Sequence, residues 1–301
     1  MLTVEREPSY LSPSSLVQFE KNPNRFYLER MAPNRIEKEP QSPAGGAGSA
    51  FDVLIKTDLA ERLYNLAIVK QRILDDLYNP EDKNKYRDVP FKEMFYEISV
   101  EEQNRELVRS TAEKLCALYK SSVFYKNTPF TDIEIHRHFN ILNSGVPIFM
   151  KLDAVVNYGS YEPFDWKVQG YGSASGASPK PGYKMIQDES GNLLGCHKDY
   201  RADISIHSID ERWGDQLATY GWGLGHPPLT PFKVYLDALI IRPTGVRIAR
   251  YEGWVTLEAQ KNLLRRYEHA WAMIKSGEFL KTLCSERKIV EQLASEERWY
   301  R

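Results

Sequence analysis

The stretch Lys151-Leu152-Asp153-Ala154-Val155-Val156, followed by Pro163-Phe164-Asp165-Trp166-Lys167-Val168, decides how this chain is read. Both pieces are apolar and rich in β-formers, with acids set inside them. On a strand, Asp165 and Lys167 are two apart and project from one face. Asp153 falls on the neighbouring strand, across a turn through Asn157-Tyr158-Gly159-Ser160. Two carboxylates and an ammonium then converge. Buried charge is costly unless paired or bound to a metal. One explanation is a hard-cation site, since oxygen ligands suit Mg²⁺ or Mn²⁺, with the lysine left for a nucleophilic water or a phosphate oxygen. The other is a strand salt bridge of Asp165 with Lys167 or of Asp165 with Lys151. These residues alone leave both open.

The whole chain narrows the classes. It has 301 residues, 42% hydrophobic and 27% charged, enough for a packed core. A formal net charge of −1 excludes a passive electrostatic coat for DNA. An enzyme acting on nucleic acid would need a local basic groove instead. Cys116, Cys196 and Cys284 are far apart, with no C-x-x-C, which argues against a disulfide framework or a structural zinc. No apolar run approaches a membrane span and the polar N-terminus is no signal peptide, so an intracellular, cytoplasmic protein with no membrane partner is expected.

Ser12-Pro13 marks a helix start, with Leu16, Phe19, Phe26 and Tyr27 on its buried side. Residues 32–47 read as a mobile loop ending in Ala44-Gly45-Gly46-Ala47-Gly48, and helical spacing resumes at Ala50. Asp52 then falls in a first turn, where an acid also complements the helix dipole. Residues 101–121 read as a helix with Leu107, Thr111, Leu115 and Leu118 on one face. Ile133–Phe139 alternates as a strand, putting Glu134, His136 and His138 on one face; an H-x-H pair without further ligands is weak evidence for zinc. A hairpin turn at Asn143-Ser144-Gly145 leads to the strand carrying Asp153.

Residues 170–210 open with a flexible glycine- and serine-rich run. They go on with Tyr183, Lys184, Lys198, Tyr200 and Arg201, which suit phosphate contact and base stacking or else a solvated hairpin. Residues 211–224 form a helix in which Gln216 and Tyr220 share a face. Phe232–Ile241 and Val246–Val255 form a β-hairpin. A last helix begins at Thr256 and ends near Gly277, with Arg265, Arg266 and Lys275 as a candidate basic face.

Four segments carry a resemblance. Asp153…Asp165-Trp166-Lys167 looks like the D…(D/E)-x-K signature of the PD-(D/E)xK nuclease superfamily. Leu11-Ser12-Pro13-Ser14-Ser15-Leu16, Phe19 and Asn22-Pro23-Asn24-Arg25-Phe26-Tyr27-Leu28 are similar to the opening of its RecB-like exonucleases. Gly48-Ser49-Ala50-Phe51-Asp52 resembles their G-x-x-x-H segment, and Gln216-Leu217-Ala218-Thr219-Tyr220 their Q-x-x-x-Y helix. The resemblance implies an α/β (α+β) fold of restriction-endonuclease type, with a central mixed sheet flanked by helices.

One domain is expected, with a mainly helical part over 1–130, the sheet core over 131–255 and helices over 256–301. The resemblance implies an Mg²⁺- or Mn²⁺-dependent deoxyribonuclease, more an exonuclease than a sequence-specific cutter, serving recombination, repair or phage replication. Asp153 and Asp165 would hold metal, with Asp52 in place of the family's histidine and the Val168 carbonyl completing the shell. Lys167 would position water or offset phosphate charge, and Gln216 and Tyr220 would position substrate. Asn22 stands where an iron–sulfur cysteine would be, so no cluster is expected. The implied partners are DNA, single- or double-stranded, and a protein of a recombination or replication complex. The alternative is a nucleic-acid-binding pseudo-nuclease.

Overall fold

Eight α-helices and seven strands order the described part of the chain. The helices are α1 (Pro13–Lys21), α2 (Pro23–Arg30), α3 (Pro43–Leu63), α4 (Leu66–Asp75), α5 (Arg105–Ser121), α6 (Val123–Asn127), α7 (Glu211–Leu224) and α8 (Leu257–Ser276). The strands are β1 (Phe130–Asn140), β2 (Pro147–Asn157), β3 (Tyr161–Gln169), β4 (Tyr183–Gln187), β5 (Leu193–Lys198), β6 (Phe232–Arg242) and β7 (Gly245–Val255). This computed structural model describes residues 8–32, 40–63, 66–75, 84–85, 87–90, 101–141, 144–169, 183–187, 193–198, 211–242 and 245–277. Two compact units emerge: one of Met1–Glu39, Arg137–Met150 and Glu258–Arg301, the other of Pro40–His136 and Lys151–Leu257.

In the first unit, Ser12 caps α1 through Ser15 N–H at 3.2 Å, and Ser12 N–H donates back to Ser15 Oγ at 2.7 Å. Proline disfavours helical backbone in the residue before it, so the expected single helix breaks at Asn22-Pro23. Asn22 Oδ1 accepts from Arg25 N–H at 2.9 Å and caps α2. Leu16, Phe19, Phe26 and Tyr27 are buried as expected. Leu11 joins the β2 end of this unit: its N–H donates to Pro147 O at 2.9 Å, and its carbonyl accepts from Phe149 N–H at 2.8 Å. Helix α8 buries Leu263, Tyr267, Ala270 and Ile274 and stops at Gly277, whose φ of +67° suits glycine.

The second unit carries most of the sheet. Its strand order among the described residues is β1-β2-β3-β6-β7-β5-β4. The β2/β3, β6/β7 and β4/β5 pairs are antiparallel, while β3/β6 and β5/β7 are parallel. The class is therefore α+β, a mixed sheet flanked by helices, as the sequence predicts. Pro163 cannot donate to a ladder, and the β3/β6 pairing begins one residue later, at Phe164 opposite Tyr235. The core joins Phe51, Ile55 and Leu59 of α3 and Ala112, Leu115 and Tyr119 of α5 to Ala154, Val156, Phe164, Trp166 and Leu239 of the sheet. Each large apolar side chain buried there contributes about 1.5–3 kcal/mol.

Two further expectations need correction. Helix α3 starts at Pro43, not Ala50, and runs through Ala44–Gly48, with Gly45 N–H donating to Ser42 Oγ at 3.2 Å. A β-carbon on Gly48 would sit 3.4 Å from Val168 Cβ, so this part of the glycine run is where helix meets β3. Asp52 thus lies well inside α3, away from its first turn, and helix-dipole stabilisation does not explain it. Helix α5 buries Val108, Ala112, Leu115 and Tyr119, while Leu107 and Leu118 are exposed, so its inner face is rotated from the expected one. Tyr119 turns that face inward by donating to the buried Asp237 Oδ2 at 2.5 Å. Arg250 completes this pair, with Nε 2.8 Å from Asp237 Oδ1 and Nη2 2.8 Å from Oδ2, its charge further met by Thr128 Oγ1 at 2.6 Å.

Of the 170–210 segment, a β4–β5 hairpin pairs antiparallel and joins β7 at Cys196 opposite Tyr251. Tyr200 and Arg201 lie outside the described residues, as does Asn143 of the expected β1–β2 turn.

Candidate metal centre

Strands β2 and β3 bring the first two acids together. Their register pairs Ala154 with Phe164, which leaves Asp153 and Asp165 next to the last paired residues, close enough for their carboxyls to share a hydrogen bond. Alternation sends Phe164 and Trp166 into the apolar core and leaves Asp165 and Lys167 for the other side of the strand. Lys167 Nζ lies 2.5 Å from Asp165 Oδ2, and the Asp165 side chain is fully buried. The salt bridge is therefore present, but it does not exhaust the cluster.

Helix α3 supplies Asp52 and, one turn on, Lys56. Lys56 is 3% exposed. Its Nζ lies 2.6 Å from Asp52 Oδ2, 2.7 Å from Asp153 Oδ1 and 2.5 Å from Glu134 Oε2. One oxygen each of Asp52, Glu134 and Asp153 falls within 4.8 Å of the others. The sequence reading missed Lys56 altogether and placed Glu134 only as a neighbour of two histidines.

Glu134 has a φ of +50°, in the left-handed region that side chains rarely adopt. The kink breaks β1's alternation, so Ile133 and Glu134 are both buried. His136 Nε2 then lies 2.6 Å from Glu134 Oε1. His138 instead stacks on Phe149 at 4.4 Å, so the two histidines do not share a site.

The charges press on one another. Burial pushes the Asp52 carboxyl up to about 7; Lys56 opposes this and the Asp153 and Glu134 charges add to it. Burial also raises Asp165, against Lys167, and the Asp153 charge keeps it well above the ordinary carboxylate range. For Asp153, burial is outweighed by Lys56, by a hydrogen bond from Asp165 and by Lys167, and its carboxyl falls below that range. For Glu134, burial is outweighed by Lys56 and His136, and its carboxyl is lowered. Of these two neighbouring carboxyls, Asp165 is the weaker acid and Asp153 the stronger. Lys56, despite burial, is held charged by Asp153, Asp52 and Glu134.

Helix α7 brings the last pair. Gln216 Nε2 donates to Tyr220 Oη. Burial and the charges of Asp153 and Asp165 raise the Tyr220 hydroxyl well above its usual value, so Tyr220 is a neutral donor beside the carboxylates. Val168 follows Lys167 on β3, and its side chain meets Gly48.

The donor set fits a divalent cation. Four carboxylates face two ammoniums, more acid than the two lysines can balance, and this crowding adds to burial in raising Asp52 and Asp165. Asp52 Oδ1 and Asp165 Oδ1 are buried and accept no hydrogen bond. Every donor is a hard oxygen, as Mg²⁺ and Mn²⁺ require.

No protein-family model and no curated protein matches this chain. Among solved structures, a candidate exonuclease from Eubacterium rectale is similar at 14% identity and a TM-score of 0.44, covering 92% of this chain and 88% of that one. A second, carrying no functional name, is similar at 14% identity and a TM-score of 0.27, covering 74% of each chain. No helix among the described residues is long and apolar enough to cross a membrane.

Proposed function

We propose that the protein is a metal-dependent nuclease of the PD-(D/E)xK type that hydrolyses DNA phosphodiesters, acting as an exonuclease. The observation that supports this is the convergence of Asp52, Asp153 and Asp165 with Lys167 in a buried cluster that holds more carboxyl groups than ammoniums. Asp153 and Asp165 hold Mg²⁺ or Mn²⁺, with Asp52 as a third carboxylate and the Val168 carbonyl as a further oxygen. When bound, the ion lowers the pKa of a water and offsets charge on the phosphate and the leaving oxygen.

The chain's own residues do the rest. Lys167 keeps its charge because Asp165 and Asp153 face it, and it orients the water or a phosphate oxygen. Tyr220 takes a hydrogen bond from Gln216 and keeps its own proton to donate to a phosphate oxygen.

One observation favours the alternative, a protein that binds nucleic acid without cutting it: Lys56 already supplies a cation to three of the acids. A time course on end-labelled single- and double-stranded DNA, with and without Mg²⁺ or Mn²⁺, decides between them. Cleavage that needs the metal and is lost in Asp153→Ala and Lys167→Ala is expected. Metal-independent cleavage, or full activity in either variant, would sink the mechanism. Binding without cleavage would establish the alternative.

A further inference from the structure

We infer that Lys56 is a built-in counter-ion of the metal centre: its ammonium pre-assembles Asp52, Glu134 and Asp153, competes with the divalent cation for their charge, and leaves it only the carboxylate oxygens that the lysine does not take. This rests on the reading of the cluster as a metal site. It assigns Glu134 a role that the cluster's geometry alone would misstate.

An ammonium has three N–H donors. Those of Lys56 meet three carboxylate oxygens at 2.5–2.7 Å: Asp52 Oδ2, Asp153 Oδ1 and Glu134 Oε2. None is left over. Glu134 gives its other oxygen to His136, so both of its oxygens are occupied. It reaches Lys56 only through a backbone kink of a kind that costs energy and persists when its surroundings enforce it. Glu134 is thus the anchor of Lys56 and not a metal ligand.

The aspartates differ. Asp52 gives Oδ2 to Lys56 and keeps Oδ1 without a donor. Asp153 gives Oδ1 to Lys56 and also meets the Asp165 carboxyl in a hydrogen bond. Asp165 gives Oδ2 to Lys167 and keeps Oδ1. With both of its oxygens taken, Glu134 drops out of the Asp52, Glu134 and Asp153 cluster as a ligand, and the aspartates of the proposed metal site remain. Two carboxylates stand between the ion and a fixed ammonium, and like charges that close repel. Lys56 sets an upper limit on metal affinity while keeping the acids from flying apart when no metal is present.

Calorimetric titration with Mn²⁺ at pH 8, with thermal melts in its presence and absence, tests this on the full chain. Lys56→Met and Lys56→Gln are each expected to bind Mn²⁺ about tenfold or more tightly than the parent. Both should melt lower than the parent without metal and regain that loss when Mn²⁺ is added. Glu134→Gln should keep one bound Mn²⁺, whereas Asp165→Asn should lose it. Unchanged or weaker binding in the Lys56 variants, with the parent binding normally, overturns the inference and leaves the nuclease reading standing. Variants that remain unfolded in saturating Mn²⁺ also overturn it, since Lys56 is then a structural residue only. If neither the parent nor the Lys56 variants bind Mn²⁺, the metal reading itself fails.

Discussion

A β-carbon placed on Gly221 of α7 would lie 2.1 Å from Cε2 and 2.2 Å from Cζ of Phe232 on β6. The helix carrying Gln216 and Tyr220 thus rests directly on an aromatic ring, with only hydrogen at the point of contact. Phe232 is 4% exposed and stacks on His226 at 4.5 Å, so the ring has little room to yield. Gly221→Ala should cost about 1–3 kcal/mol by overpacking, read by urea denaturation. Adding Phe232→Leu should restore part of that loss. Purely additive effects would mean that the contact does not constrain the helix.

The Asp237–Arg250 pair should be a strong test of buried charge. Arg250→Met leaves Asp237, which is fully buried, without its cation, and should cost about 3–5 kcal/mol. Replacing both residues with apolar ones of similar volume should cost less than the single change. Equilibrium unfolding of the two single variants and the double variant measures this directly.

The metal-free protein should show two separate pH windows. Asp52 is raised to about 7 from an ordinary value of 3.8, so the folded state binds the extra proton. Its contribution to stability is present below 3.8 and is lost as pH rises towards 7. Asp153 is lowered, so its contribution is present above 3.8 and is lost only in stronger acid. Urea midpoints between pH 4 and 8 should therefore fall less steeply for Asp52→Asn than for the parent. Parallel curves would show that Asp52 titrates normally.

Tyr220→Phe removes a hydroxyl donor beside Asp153 and Asp165 while keeping the ring. Under the proposed nuclease activity, DNA cleavage should slow by about 10²-fold or more, with Mn²⁺ affinity within about twofold of the parent because no carboxylate has changed. Single-turnover cleavage and metal titration on the same preparation check both halves.

The sequence exposes the elements of this centre unevenly. Asp153, Asp165 and Lys167 are legible because strand alternation fixes where neighbours point. Gln216 and Tyr220 are legible because a four-residue spacing stacks them on a helix. The start of α3 is not, since Ala44–Gly48 has the composition of a loop and becomes helical only where it packs on β3. Lys56 is hidden because an acid and a lysine four apart, as Asp52 and Lys56 are, ordinarily mark a solvated helix face. Glu134 is hidden for another reason: its inward turn needs a left-handed residue inside an otherwise regular strand, and no local pattern announces it. The inner face of α5 depends on Tyr119 finding Asp237 more than a hundred residues away.

The order β3-β6-β7-β5-β4 has a consequence for synthesis. Both strands that separate β3 from the hairpin are made after it. Until residues 232–255 leave the ribosome, β3 and β5 each present a bare edge with nothing to pair, and both acids of the D-x-K region are already in place beside one of them. Nascent chains stalled before Phe232 should be the ones that chaperones retain and that stick to each other, while release past Val255 should close both edges in a single step.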